Sequence, residues 1–363
     1  MRLPPLIIGD LTIPIPIIQG GMGVRVSTAS LASAVANCGG AGTIASIGLG
    51  FFSCKKDAAF IKEECVNLLI NEIRQARALT KGVIGVNILT AVTNFAELVR
   101  AAVSESVDYI IAGAGLPLRL PEFAKDSSTK LIPIVSSGRV AQLIIKSWKK
   151  RYDKLPDAII VEGPLAGGHL GFSKQEIESR KENALEKIVS EVLAVTASFQ
   201  RSLKSTIPVI AAGGIFTGAD IGRFLKLGVS GVQMGTRFVA TNECEVPQAF
   251  KEKYINAKDE DIILIDSPVG LPGRVIRTKF VDSLDKNHRE KFSCIYKCLK
   301  PCDVTRAPYC IAERLINAVN SDKIEEAVVF AGFNAARVKK IVPVKELMAE
   351  LVQGAEHYLD EGS

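Results

Sequence analysis

The chain has 363 residues, 47% apolar and 23% charged, an ordinary globular balance with material for a sizeable core. Its net charge of +6 is scattered through stretches such as "KSWKKRYDK", and aromatic residues make up only 6%, which argues against a nucleic-acid partner. The proline-broken start "MRLPPLIIGDLTIPIPIIQGG" lacks the basic region and continuous apolar core of a signal peptide, and no uncharged run reaches membrane-spanning length; the expectation is a cytoplasmic protein with no membrane partner, its eight cysteines held as thiols.

Eight strand-like runs follow one another along the chain: Ile15–Gly21, Gly40–Ser46, Val83–Leu89, Tyr109–Gly115, Leu131–Ser137, Ala158–Gly163, Ile207–Gly214 and Gly231–Phe238. They are apolar on both faces, as parallel strands covered by helices are. Helical patterns lie between them. Ser27 or Thr28 stands where a cap would, ahead of Leu31, Ala34, Val35 and Cys38 on one face, with Gly39 and Gly40 to stop the helix. "AELVRAAVSES" follows the third run, "RVAQLIIKSWKKRY" the fifth, "ALEKIVSEVLAVTASFQ" the sixth and "GADIGRFLKLG" the seventh. This rhythm predicts an α/β chain folded as a (β/α)8 TIM barrel. After Phe238 the alternation breaks. Residues 241–308 read as an inserted, mainly helical and loop lid, and residues 1–240 with 309–363 as the barrel.

In such a barrel the working residues stand at the C-terminal strand ends. Those ends carry Gln19 to Met22, Thr43, Asn87, Gly113, Ser136 and Ser137, Glu162 followed by His169, Gly213 and Gly214, and Gly235 and Thr236. Two glycine pairs after the last two strands, one leading into Thr217 and Gly218 at a helix start, suit an anion held by backbone N–H groups. The alternative is that these glycines only make tight turns.

The motifs "PIIQGGMG", "GVN", "GPLAGGHLG", "VIAAGGI" and "GVQMGTRF", in this order, resemble the nitronate monooxygenase family, formerly 2-nitropropane dioxygenases, with the FMN-dependent enoyl-acyl carrier protein reductase as a close relative. The resemblance covers about Ile8 to Phe238 and resumes in "VVFAGFNAARVKKIVPVKELMAELV". It implies FMN at the barrel mouth. Gly21 and Met22 would lie near the flavin ring and Asn87 would hydrogen-bond it. Glu162 falls where the family often has Gln, and Gly167 and Gly168 match directly. Gly213, Gly214, Gln233, Met234, Gly235 and Thr236 would hold the phosphate. His169 matches the family's histidine beside the flavin, as general base or as a hydrogen-bond donor to an anionic substrate. His288 and His357 sit in charged surroundings and read as surface residues.

Cys294, Cys298, Cys302 and Cys310 have a C-x3-C-x3-C-x7-C spacing that is not a standard metal pattern. Positions four apart share a helical face, so packing as small hydrophobes is the expectation and no metal is assigned. Cys38, Cys54 and Cys65 read as core or helix residues, and Cys244 shows no partner. In "SPVGLPGR", Arg274 either meets an anion at the mouth or is an ordinary surface arginine. The partners implied are a small-molecule substrate, an alkyl nitronate with O2 or an enoyl thioester with NAD(P)H, and, as a homo-oligomer, a second copy of the chain. A flavin-binding barrel without turnover is the reading from another class.

Overall fold

Each of the eight apolar runs becomes a strand, seven of them within two residues of the expected bounds; the eighth stops at Met234, four residues short of Phe238, because Thr236–Val239 turns into helix. The computed structural model describes residues 2–50, 57–179, 184–203, 206–284, 289–294 and 296–361. A hairpin, β1 (Leu6–Ile8) and β2 (Leu11–Ile13), comes first, and the barrel follows as β3 (Ile17–Gln19), β4 (Ala41–Ala45), β5 (Val83–Leu89), β6 (Tyr109–Gly113), β7 (Lys130–Val135) and β8 (Ile159–Glu162). After a two-residue strand, β9 (Gly168–His169), the barrel finishes with β10 (Val209–Ala212) and β11 (Gly231–Met234), and β11 pairs back onto β3. All eight pairings are parallel. The barrel is closed.

Helices α1 (Ala29–Asn37), α2 (Ala58–Leu79), α3 (Phe95–Ser104), α4 (Leu120–Phe123), α5 (Gly138–Tyr152), α6 (Lys174–Ser179), α7 (Ala184–Leu203), α8 (Gly218–Leu227) and α9 (Thr236–Val239) connect the strands. Thr28 is the N-cap of α1, but its side chain makes no cap bond; the Glu72 carboxylate accepts from Ala29 N–H at 2.7 Å instead. Strand alternation divides the core in two. Ile18, Tyr109, Ile111, Ile132, Ile160 and Ile210 point inward, with Leu6, Ile8 and Ile13 of the first hairpin packed among them. The alternate residues, such as Ile110 and Val161, join the helical shell. Gly85 is required inside: a Cβ there would lie 2.1 Å from the buried Tyr109 ring, whose hydroxyl lies 2.8 Å from that of Thr43.

The stretch expected to be helix and loop contains a sheet as well. Helix α10 (Gln248–Asn256) precedes a hairpin of β12 (Ile262–Asp266) and β13 (Pro272–Ile276), then α11 (Lys279–Asp282), α12 (Ile311–Ala318), β14 (Val329–Phe330) and α13 (Val344–Glu361). Strand β13 pairs antiparallel with β12 and β14, and also with β9. The two prolines and two glycines of "SPVGLPG" hid this hairpin in the sequence, because its turn and the start of β13 read as one loop. Cys65 is buried in α2, and Cys244 is buried with its thiol 3.5 Å from the Val26 carbonyl. His357 is exposed and pairs with Glu361 at 3.2 Å. Cys54 and His288 lie outside the described residues.

Candidate active site at the barrel mouth

The C-terminal strand ends open on a cavity of about 860 Å3, and every residue that the family resemblance assigned to the cofactor or to catalysis lines it. Gly21 and Met22 follow β3, Asn87 stands on β5, and Glu162 ends β8 beside β10. Gly213, Gly214, Gln233, Met234, Gly235 and Thr236 come from β10, β11 and the turns after them. Gly167, Gly168 and His169 come from the loop after β8.

The glycines are there because backbone must approach backbone. Gly213 and Gly214 have φ of +90° and +92°, and a Cβ on Gly213 would lie 2.9 Å from the Gly163 carbonyl. These turns leave no room for side chains. Helix α8 is less available to an anion than its position suggested. Asp220 accepts from the N–H groups of Phe216 and Thr217, and Thr217 in turn caps Asp220 N–H, so the helix start already holds a carboxylate. Thr217 is also absent from the cavity wall. The open cradle is therefore Gly213–Gly214 with Gly235–Thr236. Asn334 donates to the Gly214 carbonyl at 2.7 Å and Gly332 N–H to the Thr236 hydroxyl at 3.3 Å, so the chain after the insertion steadies both turns.

His169 is held from three directions. Its backbone pairs with Gly273 of β13, its ring meets Phe330 edge-on at 4.9 Å, and Nε2 stands 2.7 Å from the Ser267 hydroxyl. Burial lowers its pKa to about 4, so the imidazole is neutral at physiological pH. Glu162 faces the same cavity, and burial alone raises its carboxyl to about 7. Arg274 meets neither expectation. It is 4% exposed, and its guanidinium donates to the carbonyls of Pro164 at 2.7 Å and Ala166 at 2.5 Å, bracing the loop that carries the histidine. Burial without a carboxylate partner lowers its pKa to about 10.

Sequence reasoning missed Ser267 and Phe330. Ser267 carried one faint signal, its place in the unusual "SPVGLPGR" stretch. Phe330 carried none, because only the pairing of β14 with β13 brings it to His169.

The cradle fits the phosphate-bearing cofactor that the motifs implied. Besides the glycines at positive φ, the buried Gln233 Oε1 has no hydrogen-bond partner among the described residues, and such an atom calls for a ligand or water. A closed parallel barrel with its glycine and polar residues gathered at the C-terminal mouth is the architecture of a barrel enzyme. Among these, the chain belongs to the nitronate monooxygenase family, whose model matches residues 5–354, and it is accordingly an oxidoreductase of a flavin-dependent kind rather than a barrel without turnover. It is similar to the (3aS,4S,5R,7aS)-5-hydroxy-7a-methyl-1-oxo-octahydro-1H-indene-4-carboxyl-CoA dehydrogenase of Mycobacterium tuberculosis, at 30% identity over 276 residues covering 76% of this chain and 67% of that protein. A probable nitronate monooxygenase of Staphylococcus saprophyticus is 27% identical, covering 79% of this chain and 82% of the relative. The structure of FabK from Thermotoga maritima superposes with a TM-score of 0.74 at 28% identity, covering 96% of this chain and 95% of that one. Among the described residues no helix is long and apolar enough to cross a membrane.

Proposed function

We propose that the chain binds FMN in this cavity and oxidises alkyl nitronates at the expense of O2. FMN, when bound, would supply the redox chemistry. Gly213, Gly214, Gly235 and Thr236 would hold its phosphate, and Asn87 and Gln233 would hydrogen-bond its polar atoms. The observation that carries the reading is His169, neutral, fixed by Ser267 and Phe330, and facing the same cavity as the cradle. An imidazole near pKa 4 is a weak base at neutral pH. It suits a substrate that has already lost its α-proton, as a nitronate has, and which needs a hydrogen bond and orientation rather than deprotonation.

A second reading, an enoyl-thioester reductase using NAD(P)H, draws on the far wall of the cavity. Leu89, Ala91, Leu299, Pro301, Ile311 and Leu315 line it, an apolar extension larger than a short nitronate needs. The resemblance to a dehydrogenase named for a carboxyl-CoA substrate points the same way. The test is anaerobic mixing of the natively purified protein with ethylnitronate and, separately, with NADH or NADPH followed by crotonyl-CoA. The nitronate reading expects heat-released FMN and rapid bleaching by nitronate. Bleaching by NADPH alone, with recovery on adding the enoyl thioester, selects the second reading. Protein without flavin defeats both.

A further inference from the structure

The four cysteines of the insertion take no part in the function proposed above. Among the described residues, 283–310 form neither helix nor strand. Of their described apolar side chains only Leu299, Ala307 and Tyr309 are buried. Irregular segments longer than about 12–15 residues are uncommon in a packed domain, and a segment this poor in core needs a staple. Its backbone does lie against the loop between β5 and α3: Thr93 N–H donates to the Cys298 carbonyl at 3.0 Å, and Lys300 N–H to the Ala91 carbonyl at 2.8 Å.

The sulfurs share one neighbourhood. Cys298 stands within electrostatic reach of Cys294, Cys302 and Cys310, and Cys294 within reach of Cys302 and Cys310. Cys298 packs in a small cluster with Cys65, Tyr296, Ala312 and Ile316. Cys310 stands at the N-cap of α12, where its side chain makes no capping bond. All four cysteines are free of disulfides. Cys298 and Cys302 do pack against the core, but all four are only half-buried, so packing as small hydrophobes accounts for the group only in part. The sequence argument for that packing also falls, since it placed positions four apart on one helical face and the segment is not helical.

We propose that Cys294, Cys298, Cys302 and Cys310 ligate a tetrathiolate metal centre that staples residues 283–310 onto the barrel mouth. Each thiol releases its proton to solvent as its metal–sulfur bond forms, so repulsion among gathered thiolates is exchanged for ligation. Among the described residues no three ligating side chains already surround a common point. The metal therefore completes the site, drawing in sulfurs that the segment holds near one another, as in small modules whose folding is coupled to metal binding. Zinc and an iron–sulfur cluster share this ligand chemistry. Cys298, Leu299 and Pro301 line the active-site cavity, so the staple shapes the substrate wall and leaves the flavin cradle alone.

The test is elemental analysis and acid-labile sulfide on the full chain purified anaerobically, with flavin measured in the same samples. The expected result is one zinc per chain, or iron with matching sulfide. Cys294→Ser and Cys302→Ser should lose most of the metal and keep their flavin, while Cys38→Ser keeps both. Should the variants fail to fold, thiol titration of the wild-type chain before and after a strong chelator reads the same point: four further thiols become reactive on metal removal. Wild-type protein with metal far below stoichiometry, both as purified and after reconstitution with zinc or with iron and sulfide, overturns the proposal. So does a stoichiometric metal that the two serine variants retain. Loss of metal without loss of flavin separates this proposal from the flavin reading.

Discussion

His169 and Glu162 both line the mouth, and burial shifts their protonation in opposite senses. His169→Asn keeps bulk and some hydrogen-bonding capacity but cannot exchange a proton near neutral pH. The variant is expected to fold and keep its flavin while the rate of bleaching by substrate falls about 10²-fold. In a Glu162→Gln background, which removes the carboxyl that titrates near 7 in the same cavity, that rate should stay flat from neutral pH down toward about 5, because the imidazole ionises only near 4. Stopped-flow across that range checks it, and a rate that falls with a midpoint near 6.5 refutes the buried neutral imidazole. For Glu162 the folded pKa of about 7 lies above the ordinary 4.5. Its stability contribution is therefore fully present below about 4.5 and is lost as pH rises through about 7. Glu162→Gln has no such loss, so its melting temperature relative to the wild type should rise between pH 5 and pH 8. A constant offset across that range would show that the carboxyl is not buried as described.

The histidine loop is made by pairing between elements far apart in the chain. Two residues of β9 join β13, and Arg274 of β13 reaches under the loop to the Pro164 and Ala166 carbonyls. Removing a buried charged donor leaves both carbonyls unpaired, at a cost of about 2–3 kcal/mol. Arg274→Met should lower stability by that amount in denaturant titration and loosen the Gly167–His169 segment in hydrogen exchange. An unchanged midpoint would mean that the brace is not needed. At the adjoining turn, Gly213→Ala forces a Cβ to within 2.9 Å of the Gly163 carbonyl at a φ of +90°. It should cost about 1–3 kcal/mol and weaken flavin retention. Equilibrium dialysis against free FMN measures the second effect, and wild-type affinity would remove Gly213 from the cradle.

Across the whole molecule the barrel is closed on the outside by its last helix. Leu347, Met348 and Leu351 of α13 are buried, and the helix lies against α8 so closely that a Cβ on Gly218 would stand 2.5 Å from the Ala355 nitrogen. Three such side chains are worth about 1.5–3 kcal/mol each, a large share of the roughly 5–15 kcal/mol that holds a typical domain. A chain ending at Pro343 should lose its cooperative thermal transition by circular dichroism. A transition within a few degrees of the full chain's would make α13 an accessory.

Strand runs such as Val83–Leu89 were legible because a strand buried on both faces must be continuously apolar, a local property of composition. The glycine pairs were legible for a similar reason, since a backbone that needs positive φ announces itself in one or two letters. The sequence by itself thus determined the eight-stranded barrel and the family, and it pointed to the strand ends that line the mouth cavity. The partners of His169 lie 98 residues away at Ser267 and farther still at Phe330, and no local pattern encodes such a meeting. Arg274 as a brace, the carboxylate already seated at the start of α8, and the gathering of the insertion's cysteines were decided in the same way. Side-chain contacts between distant segments depend on how β13 docks against β9 and on how the insertion lies across the mouth. That docking is an outcome of packing the whole chain, so only the tertiary structure decided which residues surround the histidine.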